Sequence, residues 1–219
     1  MSSIAKAIEN IKLKISKFGR DPENTTLVAV SKLQPVDLIL EAINCGQLEF
    51  GENYFKELYI KATGNELKDK KLKWHYLGPL QTNKISKLSN FVNTLQSISR
   101  IKELHILAKY KVESNLLIQI NLSNNQNQSG ISLKTLDEFL NIGAKLNLNI
   151  KGIMVMGVAG DRKLSEQLFN TAYKVFEDYN FDTLSMGMSD DYEVALACGS
   201  NMIRIGTHLF GKRDIKLPS

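Results

Sequence analysis

Seven residues have the types and spacing to hold an aldehyde beside a phosphate. Lys32 follows the apolar run LVAV and precedes Pro35, which opens a helix. A lysine at that point ends a strand, and desolvation with nearby cations lowers its pKa. At a reference value near 10.4 only about one lysine in 2,500 is neutral at pH 7, whereas a value near 8 leaves about one in ten neutral. The neutral amine is the form that condenses with an aldehyde to give a Schiff base. The alternative reading is an ordinary exposed lysine after a strand.

Far along the chain, SMGMSDD (185–191) and RIGTHLFG (204–211) each bring a strand to a glycine and then to a hydroxyl residue. Ser189, Gly206 and Thr207 can offer hydroxyls and backbone N–H groups to a phosphate, with Ser189 read as the cap of a helix. Asp190 and Asp191 in the first turn of that helix oppose an anion unless they point outward. Arg204 stands two residues before Gly206 and shares its strand face. It can pair with a carboxylate, hold a phosphate or face a heterocycle nitrogen. Asn53 and His75 are read as ending the second and third strands and lining the same mouth. Between Trp74 and Tyr76, His75 reads equally well as a core histidine.

These residues need a scaffold that gathers strand ends. Apolar positions at helical spacing (Ile4, Ile8, Ile11, Ile15) predict a helix over 2–18, stopped by Gly19. Strands are then predicted at 25–31, 48–51, 73–78, 91–97, 115–123, 149–157, 183–188 and 201–206, each but the last followed by a helix. Near-continuous apolar strands alternating with helices imply a parallel sheet covered by helices. An open doubly wound sheet and a closed barrel both fit that pattern. The count of eight favours an α/β fold of the (β/α)8 TIM-barrel type, whose active face carries the loops after the strands. No G-x-G-x-x-G follows the first strand, which weakens the dinucleotide-binding alternative. The final helix slot is short, and the N-terminal helix is the expected substitute. The domain expectation is one barrel over 25–211 behind a helix at 1–19.

Composition narrows the class. Hydrophobic residues at 43 % and charged residues at 23 % exclude a disordered or fibrous chain. No apolar run reaches the roughly 20 residues of a membrane-spanning helix, so a cytoplasmic protein is expected. Cys45 and Cys198 have no metal-ligand spacing and read as buried free thiols. The net charge of +5 is spread over Lys6, Lys12, Lys14 and Lys17, then Lys68, Lys70, Lys71 and Lys73, then Lys212, Arg213 and Lys216. None of these groups interleaves aromatics as a nucleic-acid platform would.

VAVSK ending at Lys32, FGENY (50–54), WHYLGPLQTNK (74–84) and LSMGMSDDYEVALACGSNMIRIGTHLFGKR (184–213) closely resemble the pyridoxal 5′-phosphate homeostasis protein family. The resemblance implies a single-domain barrel of the alanine racemase N-terminal domain type. It also implies a cofactor, pyridoxal 5′-phosphate, held as a Schiff base on Lys32. Ser189, Gly206 and Thr207 would then hold the phosphate, Arg204 would face the pyridine nitrogen, and Asn53 and His75 would line the ring. Two positions depart from the family pattern: Gln128 stands where a lysine is common, and GIMVMG (152–157) is less polar than usual.

An arginine stays protonated and donates to the ring nitrogen, which makes the ring a poorer electron sink. With the barrel using the chain up to Phe210, no length remains for the second domain that supplies racemases with their other base. The expectation is therefore a binding protein that buffers or delivers the cofactor, the alternative being a racemase or decarboxylase of the same fold. Apo-enzymes that use the cofactor are the expected recipients. A closed barrel leaves no free strand edge, and a monomer is expected.

Overall fold

The computed structural model describes residues 2–123 and 125–211; Lys212, Arg213 and Lys216 lie outside them. Helix α1 (Ser3–Phe18) buries Ile4, Ile8, Ile11 and Ile15 along one stripe, and the Ser2 hydroxyl accepts from the Ala5 N–H at 3.2 Å. Eight strands follow: β1 (Thr26–Val30), β2 (Glu49–Glu52), β3 (Lys73–Tyr76), β4 (Val92–Ile98), β5 (Asn115–Ile120), β6 (Ile150–Val155), β7 (Thr183–Ser185) and β8 (Met202–Ile205). They pair in parallel in sequence order, and β8 returns to β1 to close the barrel.

The remaining helices cover its outside: α2 (Val36–Asn44), α3 (Phe55–Thr63), α4 (Ile85–Leu88), α5 (Ile101–Lys109), α6 (Leu136–Lys145), α7 (Arg162–Asp178), α8 (Tyr192–Ala197) and α9 (Thr207–Phe210). Parallel strands buried on both faces explain the continuous apolar runs. The outward faces pack on the helices in one large apolar cluster. Inside the barrel a second, small cluster holds Val28, Leu117, Met154 and Met202. The rest of the interior is polar, with His75, Gln96, Gln119, Ser185 and Arg204 all buried.

One element differs from the sequence expectation. Ser189 does not cap α8, which starts at Tyr192 with Asp191 at its N-cap. The Asp191 carboxylate takes the Met188 N–H at 2.6 Å and delays the helix. The slot after β8 holds one turn, α9; α1 packs against α8 and α9, and Lys14 bridges Glu193 at 2.9 Å. Both cysteines are free, and Cys45 is half-buried rather than buried. Among the described residues no helix is long and apolar enough to cross a membrane, and no group of three side chains could hold a metal ion.

Candidate functional site

Lys32 leaves the end of β1 half-buried, and its loop is fastened from behind. The Lys61 ammonium of α3 donates to the Ser31 carbonyl at 2.7 Å, to Glu52 Oε1 at 2.8 Å and to Glu57 Oε1 at 2.7 Å. The Ser31 hydroxyl donates to the same Glu52 oxygen at 2.6 Å. Leu33, next to Lys32, has a φ of +59°, a conformation that costs a β-carbon residue about 1–3 kcal/mol. Its N–H donates to Glu57 at 2.6 Å, which helps hold the turn there. Burial pushes the Glu52 carboxyl up to about 7, against the pull of Lys61.

Arg204 of β8 is buried in the barrel. Its Nη1 donates to Ser185 Oγ at 2.6 Å and its Nη2 to the Val155 carbonyl at 3.0 Å. Burial lowers its pKa to about 10 while Asp191 raises it, so the guanidinium stays charged at neutral pH. Its own N–H donates to the carbonyl of Gly187, whose φ of +95° suits glycine alone. Asp191 faces inward toward Arg204, and burial raises its carboxyl against the Met188 N–H; Asp190 is exposed.

The Ser189 hydroxyl accepts from the His208 N–H at 3.4 Å, in the turn that Gly206 and Thr207 open. The three residues chosen for phosphate therefore lie together, joined through a histidine that carried no signal in the sequence. Asn53 follows β2 and lines a cavity of about 370 Å³ with Leu77, Gln119, Gln128, Met154 and Met156. The Asn53 Oδ1 atom is buried without a hydrogen-bond partner. A Cβ at Gly78 would collide with the Asn53 carbonyl, so this close approach needs glycine.

His75 is placed elsewhere. Two residues further along its strand face, Leu77 reaches the mouth cavity, while His75 lines a cavity of about 770 Å³ at the other end with Thr26, Glu49, Thr94, Asn115 and Met202. Its Nε2 meets Glu49 at 2.9 Å and its Nδ1 meets Gln96 at 2.9 Å. The structure thus brings Ser189, Gly206 and Thr207 together, sets Lys32 and Asn53 on neighbouring strand ends, and leaves His75 below them. Ser185 and Gln96 were not singled out from sequence, although both are polar residues on otherwise apolar strands.

The alanine racemase N-terminal domain family matches residues 5–214. The chain is 38 % identical to the pyridoxal phosphate homeostasis protein of Escherichia coli K12, with 98 % of each covered. It is 32 % identical to that of Schizosaccharomyces pombe, covering 100 % of this chain and 97 % of the other. The structure of PipY from Synechococcus elongatus PCC7942 with PLP bound aligns at a TM-score of 0.83 and 31 % identity, over 95 % of this chain and 100 % of that one. A closed parallel barrel, full-length relatives and a matching domain family agree: this chain belongs to the pyridoxal phosphate homeostasis protein family.

Proposed function

We propose that this chain binds pyridoxal 5′-phosphate and buffers or delivers it in the cytoplasm, without strong catalysis of its own. The observation that carries the reading is the juxtaposition of β1 and β8, where Val28 pairs with Arg204 and Lys32 follows two residues after β1 ends. The Lys32 amine attacks the cofactor aldehyde, and loss of water leaves the C=N bond. Ser189, Gly206 and Thr207 hold the phosphate. Asn53, with its unpartnered Oδ1 atom, fits a polar ring substituent at the mouth.

Arg204 decides between binding and turnover. When bound, the cofactor supplies an electron sink, and that sink is strongest with a protonated ring nitrogen. Arg204, still charged, can only donate to that nitrogen and cannot protonate it. This supports a holding role. Recipient apo-enzymes follow from that role as the proposed partners, with the protein acting as a monomer.

Borohydride reduction of the loaded protein followed by peptide mass spectrometry tests the reading. A pyridoxyl adduct on Lys32, absent from Lys32→Ala, is expected; no adduct, or an equal one on another lysine, overturns the assignment. α-Proton exchange of amino acids in deuterated water at enzymatic rates would show a racemase or decarboxylase instead.

A further inference from the structure

Six side chains, from five strands, form one unbroken line through the barrel. Starting at the end opposite the mouth, Lys73 Nζ lies 2.9 Å from Glu49 Oε1, and Glu49 Oε2 lies 2.9 Å from His75 Nε2. His75 Nδ1 is 2.9 Å from Gln96 Nε2, Ser185 Oγ is 2.7 Å from Gln96 Oε1, and Arg204 Nη1 is 2.6 Å from Ser185 Oγ. His75, Gln96, Ser185 and Arg204 are each at most 5 % exposed.

The two ends fix the direction of every bond. Arginine only donates, and a carboxylate only accepts. Burial by itself would raise the Glu49 carboxyl, yet the hydrogen bonds from His75 and Lys73 and the Lys73 charge hold it below the ordinary value, so Glu49 is ionised at neutral pH. His75 therefore donates from Nε2, and with one proton on the ring Nδ1 is an acceptor. Gln96 must present its amide nitrogen to that acceptor and its oxygen to Ser185. The 3.2 Å contact of the same nitrogen with Met202 Sδ, another acceptor, agrees with this orientation. The Ser185 hydroxyl donates to Gln96 and accepts from Arg204. All four bonds run from Arg204 toward Glu49, and aligned bonds of this kind polarise one another.

We propose that His75, Gln96 and Ser185 are positioning residues that fix the Arg204 guanidinium at the mouth, so that the proton on His75 near the far end sets how strongly Arg204 donates to the cofactor ring. A second proton on His75 would oppose two donors at Nδ1 and turn the Gln96 amide over. Ser185 would then accept from both Gln96 and Arg204. The charged groups around this end of the line are Glu49, Lys73, Lys68, Lys70 and Glu113, all lining the cavity that His75 borders.

The inference rests on Arg204 facing the cofactor, and its test separates the two claims. Nitrogen-15 NMR of the cofactor-free protein should show His75 at neutral pH as the Nε2–H tautomer. The Nδ1–H tautomer, or a charged ring, overturns the relay whatever the cofactor does. In the loaded protein, His75→Leu should move the pH midpoint of the cofactor's visible absorbance by at least about half a unit, a measurable fraction of one pKa unit. His75→Gln, which keeps one donor toward Glu49 and one acceptor toward Gln96, should restore it. Ser185→Ala cuts the line at the Arg204 end and decides the point should His75→Leu not fold. Unmoved midpoints in folded, loaded variants overturn the proposal. Failure of the wild type to take up pyridoxal phosphate, with the tautomer as expected, refutes the functional reading and leaves the relay standing.

Discussion

The Lys61 ammonium holds the Ser31 carbonyl at 2.7 Å, one residue before Lys32, and the same ammonium also bonds Glu52 and Glu57. The loop that carries Lys32 is thus anchored by a buried ion pair on its outer side. Removing one partner of such a pair leaves an uncompensated buried charge, which costs about 3–5 kcal/mol. Lys61→Met is expected to lose that much stability in urea unfolding. A double variant, Lys61→Met with Glu52→Leu, should recover most of it, because an apolar replacement of both partners leaves no charge stranded.

Glu52 gives this anchor a pH dependence. Burial raises its carboxyl from the ordinary 4.5 to about 7 in the fold, so the folded state keeps a proton that the unfolded chain releases between those values. Its contribution is fully present below the unfolded value and is lost as pH rises through 7, at up to about 1.4 kcal/mol per pH unit. Glu52→Gln should flatten that part of the profile. Urea midpoints at pH 5 and pH 8, compared between variant and wild type, measure it; equal slopes would show that Glu52 is ionised throughout.

Gly206 opens α9 with a φ of −113°, which any residue adopts. Gly206→Asp sets a carboxylate beside Ser189 and Thr207, the residues proposed for the phosphate, and circular dichroism checks that the variant folds. Affinity for pyridoxal phosphate is expected to fall at least tenfold, a loss of about 1.4 kcal/mol. Fluorescence titration reads this directly, and an unchanged Kd removes Gly206 from the site.

Binding must also stabilise the fold. At a hundredfold excess of cofactor over Kd the gain is about 2.7 kcal/mol, visible as a rise in Tm. Lys32→Ala should reduce that rise at the same cofactor concentration. A Tm indifferent to cofactor in the wild type would count against specific binding.

Most of the scaffold was legible because parallel barrel strands announce themselves as apolar runs, and all eight appear within a few residues of their expected positions. In the structure Lys32 and Asn53 stand just beyond β1 and β2, as the strand-end logic expects, and Arg204 lies within β8. It placed His75 one inward position too high, since a run such as KWHYLG does not reveal which of two inward residues, His75 or Leu77, reaches the mouth. A serine before two acids resembles a helix cap, yet Ser189 lies ahead of α8, whose N-cap position is Asp191; the Asp191 carboxylate is turned back to the Met188 N–H. The relay was invisible for a different reason. Its members come from five strands, and only the closed barrel gives Gln96 a partner on either side.

The pairing of β1 with β8 carries a consequence for how the site comes into being. Thr26–Ala29 and Met202–Ile205 are the most distant strand partners in the chain, and their union is the slowest kind of contact to form, since loop-closure entropy comes before any gain. Lys32 stands on one side of that seam and Arg204 on the other. A growing or half-folded chain therefore has Lys32 without Arg204 beside it, and the proposed capture of the cofactor between them belongs to the finished barrel alone.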